Sequence, residues 1–196
     1  MKFLFDLGGV FFDWDPNHFY KEIIKNKHER EYFLKNICND AWNIEQDRGR
    51  LIKDAENELV IKHPNFKQEI IMYYKNHRKM FRRIFDESVK ILKILKLKQY
   101  ECYVLSNWSW ETFIGMEKDF PFLKLFDDLI ISGNEKMIKP NKEIYNLAIS
   151  RFNLIPKETV FIDDKIENIN TAQRLGFKTI HLNNPELITS EINKYI

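Results

Sequence analysis

The sequence predicts an α/β fold, a doubly wound parallel sheet with an α-helical segment inserted after its first strand. Three observations carry this. The first apolar run, Lys2 to Phe5, is short and ends at Asp6 and the breaker Gly8-Gly9. From about residue 16 to residue 85 the apolar spacing is three and four, which is helical, with no strand alternation. From residue 86 onward short apolar runs alternate with helical patterns, as parallel strands and their crossover helices do. The expected division is residues 1–15 with 86–196 as the α/β core, and residues 16–85 as a helical cap.

Each element has its own signal. In the insert, Phe19 with Ile23 and Ile24, Leu59 to Ile61, and Ile70 with Ile71 and Tyr74 mark apolar faces. Breaks near Asn39-Asp40, Gly49 and His63-Pro64 divide it into three or four helices. Asp86 reads as the N-cap of a helix running to Leu97. Tyr100 to Leu105 is a strand ending at Ser106, followed by a helix over Glu111 to Lys118. Leu129 to Ile131 is a strand ending at Ser132. Pro140 to Arg151 is a helix with proline in its first turn. Thr159 to Ile162 is a strand ending in Asp163-Asp164. Ile166 to Leu175 is a helix stopped by Gly176. Lys178 to His181 is the last strand, and Glu186 to Tyr195 the closing helix.

Composition sets further bounds. The chain has 196 residues, 44% hydrophobic and 31% charged, which is a globular composition. Its 31 basic and 29 acidic residues are interspersed, with no basic patch or tail of the kind nucleic-acid binding requires. No apolar run reaches the ~20 residues of a membrane span. Met1 to Phe5 runs at once into Asp6, so no signal peptide is expected. Cys38 and Cys102 lie among apolar neighbours, too few and too far apart for a disulfide framework or zinc site. A cytoplasmic monomer or weak homodimer is expected.

In open α/β sheets ligands bind beyond the carboxyl ends of the strands. Here those ends carry Asp6, Ser106, Ser132 with Lys139 soon after, and Asp163-Asp164. Polar residues commonly end strands singly; four successive ends carrying a carboxylate, hydroxyls, a lysine and a carboxylate pair mark a site.

These residues carry a resemblance. Phe5-Asp6-Leu7-Gly8-Gly9-Val10, Leu105-Ser106-Asn107, Lys139-Pro140, and Phe161-Ile162-Asp163-Asp164 with Asn168 resemble the four motifs of the haloacid dehalogenase superfamily. They occur in the family's order, over essentially the whole chain. The Asp-Leu-Gly-Gly-Val start, the Asp47-Arg48-Gly49 turn and the Asp-Asp pair most resemble the α-glucose-1-phosphatase-like branch. The resemblance implies a Rossmann-like core, a helical cap and a hydrolase acting on a small phosphorylated molecule.

The residue types support that chemistry independently. A carboxylate that attacks phosphorus splits one difficult displacement into two easier ones. The phosphate dianion repels it, so the site needs positive charge, which a hard cation such as Mg²⁺ supplies through oxygen ligands. Asp6, the Gly8 carbonyl and Asp164 are the expected metal ligands, with Asp163 behind them and Asn168 orienting Asp164 or Lys139. Asp6 is the expected nucleophile. Lys139 holds Asp6 ionised and neutralises the transferring group. The Ser106 hydroxyl, the Asn107 backbone N–H and the Gly8-Gly9 turn are expected to contact phosphate. Asp47 and Arg48 in the insert, with Trp108, are candidates for lining the substrate side, Arg48 and Trp108 being the expected substrate contacts, whereas Trp42 and Trp110 read mainly as packing. His18, His28, His63, His77 and His181 are scattered, and none is a candidate.

One position departs from the family's phosphatases, which carry a second Asp two residues after the nucleophile; here it is Gly8. Three accounts fit: a substrate with a good leaving group, another acid such as Asp13 or Asp15, or lost turnover with retained binding of phosphate compounds. The α-glucose-1-phosphatase-like branch that the sequence resembles also tends to show glycine here and includes active sugar-1-phosphatases, which favours the first. A metal-independent dehalogenase is the enzymatic rival, although Asp163-Asp164 would leave unneutralised charge beside its nucleophile. A response-regulator receiver is disfavoured because its acidic pair follows the first strand. The expected reaction is Mg²⁺-dependent hydrolysis of a small phosphomonoester such as a sugar phosphate.

Overall fold

Phe3 and Phe5 of strand β1 (Lys2–Phe5) pack into one buried cluster and Leu4 into another, because successive side chains of a strand leave opposite faces of the sheet. The structure, a computed structural model, describes residues 1–196. Its central sheet has five parallel strands in the order β5-β4-β1-β6-β7. The other four are β4 (Glu101–Ser106), β5 (Asp128–Ile131), β6 (Thr159–Asp163) and β7 (Lys178–His181). Helices α6 (Asp86–Leu97) and α12 (Ile188–Ile192) cover the Phe3 face through Leu92, Leu95 and Ile188. Helices α10 (Lys142–Arg151) and α11 (Ile166–Arg174) cover the Leu4 face through Ile144, Tyr145 and Ile169. The sheet is doubly wound, as the sequence predicts. No helix is long and apolar enough to cross a membrane.

Between β1 and α6 the chain forms five α-helices where three or four were expected: α1 (Pro16–Ile23), α2 (Lys27–Tyr32), α3 (Asp40–Asp47), α4 (Ile52–Lys62) and α5 (Lys67–Lys75). A π-helical turn, Phe33–Ile37, extends α2. This segment has its own apolar cluster, in which Tyr20, Phe33, Trp42 and Tyr73 interlock.

Several local expectations are corrected. The insert is entered and left by an antiparallel ribbon, β2 (Phe12–Trp14) against β3 (Phe81–Ile84), where helix was expected at 81–84. Exposed Arg82 and Arg83 concealed the strand period. Asp86 is the first helical residue rather than the cap, which is Phe85. Pro140 precedes α10, whose N-cap is Asn141. The segment 111–118 divides at left-handed Gly115 into α7 (Trp110–Phe113) and α8 (Met116–Asp119). The closing helix spans only Ile188–Ile192. The remaining helix, α9 (Ser132–Glu135), follows β5 directly.

Candidate active site

The strand order places β1 between β4 and β6, so their carboxyl ends deliver Asp6, Ser106 and Asp163 side by side. The Asp6 backbone N–H still donates to the Ile162 carbonyl at 2.9 Å, which continues the sheet ladder and fixes its start. The Ser106 hydroxyl donates to Asp6 Oδ1 at 2.6 Å. Lys139 Nζ lies 3.0 Å from the same oxygen and 2.6 Å from Asp163 Oδ2. Asn168 Nδ2 donates to both Asp163 oxygens, at 2.9 and 3.0 Å, and the Lys165 N–H donates to Oδ1 at 2.8 Å. Asn168 therefore orients Asp163, not Asp164. The Asn107 side chain clamps the Lys139 backbone in both directions, accepting from its N–H at 2.8 Å and donating to its carbonyl at 2.9 Å.

Charge in this cluster is unbalanced. Carboxylate oxygens of Asp6, Asp163 and Asp164 all lie within 4.8 Å of one another, around the single buried ammonium of Lys139. Burial penalises the Lys139 charge, yet Asp163 and Asp6 outweigh it and hold the ammonium above its ordinary value. Burial raises Asp163 against the pull of Lys139. Burial, then the charges of Asp6 and Asp163, push Asp164 up to about 6. Hard oxygen donors carrying excess negative charge fit a divalent cation such as Mg²⁺.

The two glycines after Asp6 differ. Gly9 has φ +67°, and a Cβ built on it would lie 2.5 Å from the Asp164 carboxylate. Gly8 has nothing within 4 Å of such an atom, so no steric reason demands glycine there.

A cavity of about 380 Å³ opens from Asp6 toward the insert. Trp14 and Phe81 from the ribbon, His77 and Trp108 form an aromatic wall; Asn43 and Asp47 of α3 stand on the insert side. Trp108 presents its ring, its Nε1 being spent on Thr112 Oγ1 at 3.0 Å. Arg48 does not line the cavity: it is exposed and paired with Glu45 at 3.5 Å, and its neighbour Asp47 takes the place expected of it. Trp42 and Trp110 also lie outside. Asp13 is held by His18 at 3.1 Å and is not part of the wall. Asp15 is, but its carboxylate caps α1 by accepting from the Asn17 N–H at 2.7 Å. His77 was passed over in the sequence. It is buried, and burial pushes its imidazole down to about 3, so it is neutral. Trp14 and His77 had no sequence signal, because only the pairing of β2 with β3 brings them together.

A family model of haloacid dehalogenase-like hydrolases matches residues 4–182. The chain is 33% identical to a D-ribitol-5-phosphate phosphatase of Bacteroides thetaiotaomicron, over 92% of its own length and 91% of the relative's. It is 25% identical to a sesquiterpene phosphatase of Aspergillus oryzae, over 98% and 95%. Some relatives are longer, the match spanning 33% of one and 10% of another. A haloacid dehalogenase family enzyme of Bacteroides thetaiotaomicron, solved with magnesium and inorganic phosphate, superposes with a TM-score of 0.70 at 25% identity, covering 91% of this chain and 92% of that one. With the motifs, the sheet order and these matches in agreement, the chain belongs to the haloacid dehalogenase-like hydrolase family.

Proposed function

We propose that this chain is a Mg²⁺-dependent phosphatase that hydrolyses a small phosphomonoester, of the sugar or polyol phosphate class, through a phosphorylated Asp6. The carrying observation is the Asp6 carboxylate just beyond β1, held by Ser106 and Lys139 and lying beside the Asp163-Asp164 pair. Asp6, Asp164 and the Gly8 carbonyl would hold the metal, which supplies charge neutralisation at the phosphate oxygens. Ser106 and Lys139 share Asp6 Oδ1, which fixes the carboxylate for attack on phosphorus. Asp163 and Asn168 keep Lys139 charged and in place.

The insert, residues 16–85, acts as a cap that closes the cavity and reads the leaving group. Asp47, beside Asn43, favours hydroxyl-bearing substrates, since an apolar group would leave this buried carboxyl without a substrate partner. Dehalogenation is disfavoured by the charge count: without a cation, three carboxylates against one ammonium would blunt Asp6.

The test is phosphate release with and without Mg²⁺ from sugar-1-phosphates, sugar-6-phosphates, polyol phosphates, acetyl phosphate and an aryl phosphate, with Asp6→Asn as control. Metal-dependent release that vanishes in the control is expected. Release indifferent to Mg²⁺ would sink the metal assignment and bring dehalogenation forward.

A further inference from the structure

With glycine at position 8, the proposed phosphatase reaction lacks its usual group for protonating the departing oxygen, and the cavity narrows the choice of replacement. Asp6, Asp164 and Lys139 serve the phosphoryl end. Asp15 is exposed and engaged at the start of α1; Asp40 and Lys165 are exposed. His77 carries no proton to give at neutral pH as a cation. Asp47 remains. It is 9% exposed and lines the same cavity as Asp6, and its one side-chain partner is the neutral amide of Asn43.

Its position is built rather than incidental. Ser132 Oγ donates to the Asp47 carbonyl at 2.6 Å and accepts from the Trp108 N–H at 2.9 Å, which ties the end of α3 to the loop that begins at Ser106. Two residues on, Gly49 meets Gly133 so closely that a Cβ on Gly49 would lie 2.9 Å from the Gly133 carbonyl. A Cβ on Gly133 would in turn lie 2.5 Å from the Trp110 nitrogen. Asn43 Nδ2 steadies the carboxylate from one turn earlier, at 3.3 Å. The insert thus delivers one carboxyl to the cavity at fixed register with the phosphate-binding loop.

We propose that Asp47 is the proton-transfer residue of this reaction, acting from the insert in place of a carboxylate at position 8. The inference rests on the phosphatase reading. As Asp6 bonds to phosphorus, the ester P–O bond breaks and its electron pair stays on the leaving oxygen, which takes the proton of the Asp47 carboxyl. The Asp47 carboxylate then takes a proton from water as the water oxygen bonds to phosphorus and the Asp6–phosphorus bond breaks. Alcohol and inorganic phosphate leave, and both carboxyl groups are restored. Burial, which pushes the Asp47 carboxyl up to about 7 against the pull of the Ser109 amide and Lys165, with Asp6 adding to the rise, keeps both forms populated near neutrality.

The experiment compares Mg²⁺-loaded wild type, Asp47→Asn and Asp6→Asn on p-nitrophenyl phosphate and on a polyol phosphate, whose leaving groups differ widely in basicity. In Asp47→Asn, kcat/KM on the polyol phosphate should fall by ~10²–10⁴, the usual worth of a positioned acid. The fall on the aryl phosphate should be about tenfold at most, since that leaving group needs little protonation. Gly8→Asp added to Asp47→Asn should restore polyol phosphate hydrolysis, because position 8 has room for the side chain. Equal losses on both substrates, or no loss, would overturn the proposal while leaving the phosphatase reading intact. Wild type inert on both, or Asp6→Asn as active as wild type, would sink that reading and this one with it.

Discussion

Asp164 packs against Gly9 with no room for a side chain between them: a Cβ on Gly9 would lie 2.5 Å from Asp164 Cγ. Gly9→Ala must displace a carboxylate expected on the metal and hold alanine at φ +67°. The backbone strain costs about 1–3 kcal/mol. Weaker Mg²⁺ binding should accompany it, read as a smaller Mg²⁺-induced rise in Tm. Gly8→Ala, with open space around it, should change stability by less than about 0.5 kcal/mol. Equal destabilisation by the two would contradict this difference between neighbours.

Lys139 is the single cation buried among Asp6 and Asp163. Lys139→Met removes the charge but keeps most of the volume, and leaves two buried carboxylates uncompensated. A loss of about 3–5 kcal/mol is expected at neutral pH. The loss should shrink in acid. Without Lys139 the folded carboxyls hold their protons more tightly than the unfolded ones, so lowering pH toward the ordinary carboxylate range favours the folded variant. Thermal unfolding of variant and wild type between pH 4 and 8 reads this, and a pH-independent difference would refute it.

What could be read in advance follows from where the information lies. Asp6, Ser106 and Asp163 were legible because each terminates an apolar strand, and a parallel sheet collects strand ends at one edge. The insert's contribution was legible only in part. Asp47 and Arg48 are adjacent at the end of α3, where successive side chains diverge by about 100° around the axis. Both are candidates in the sequence, with Arg48 the expected substrate contact, and it is the contacts of Ser132 and Gly133 that fix which of the two faces the cavity. Ser132 itself looked like a site residue at a strand end, yet its hydroxyl is spent on the insert. Gly8-Gly9 read as one flexible turn, although only Gly9 requires glycine.

Asp47 should make stability fall as pH rises. Its folded carboxyl is raised to about 7 from an ordinary value of 3.8, chiefly by burial. Below the ordinary value both folded and unfolded forms are protonated, so the group contributes nothing. Between the two values the unfolded chain ionises first, unfolding releases a proton, and stability declines until the folded group also ionises. Asp47→Asn removes the decline. Its Tm should match the wild type near pH 4 and exceed it by several degrees near pH 7, since 1 kcal/mol is worth roughly 2–4 °C in a chain of this size. A Tm difference that does not grow across that window would mean that Asp47 is ionised in the fold throughout.

Ser132 offers a separate handle on the same carboxyl, because it touches the Asp47 backbone and not its side chain. Ser132→Ala leaves the buried Trp108 N–H without its acceptor and removes the donor to the Asp47 carbonyl, at a cost of about 1–3 kcal/mol. If its catalytic effect runs through the placement of Asp47, polyol phosphate hydrolysis should fall about tenfold in the wild-type background. In the Asp47→Asn background it should fall no further, because there is no longer a proton-transfer group to misplace. The double-mutant cycle isolates that coupling. An equal fall in both backgrounds would show Ser132 acting through the Trp108 end of its bridge, on the loop that carries Ser106 and Asn107, rather than through the insert.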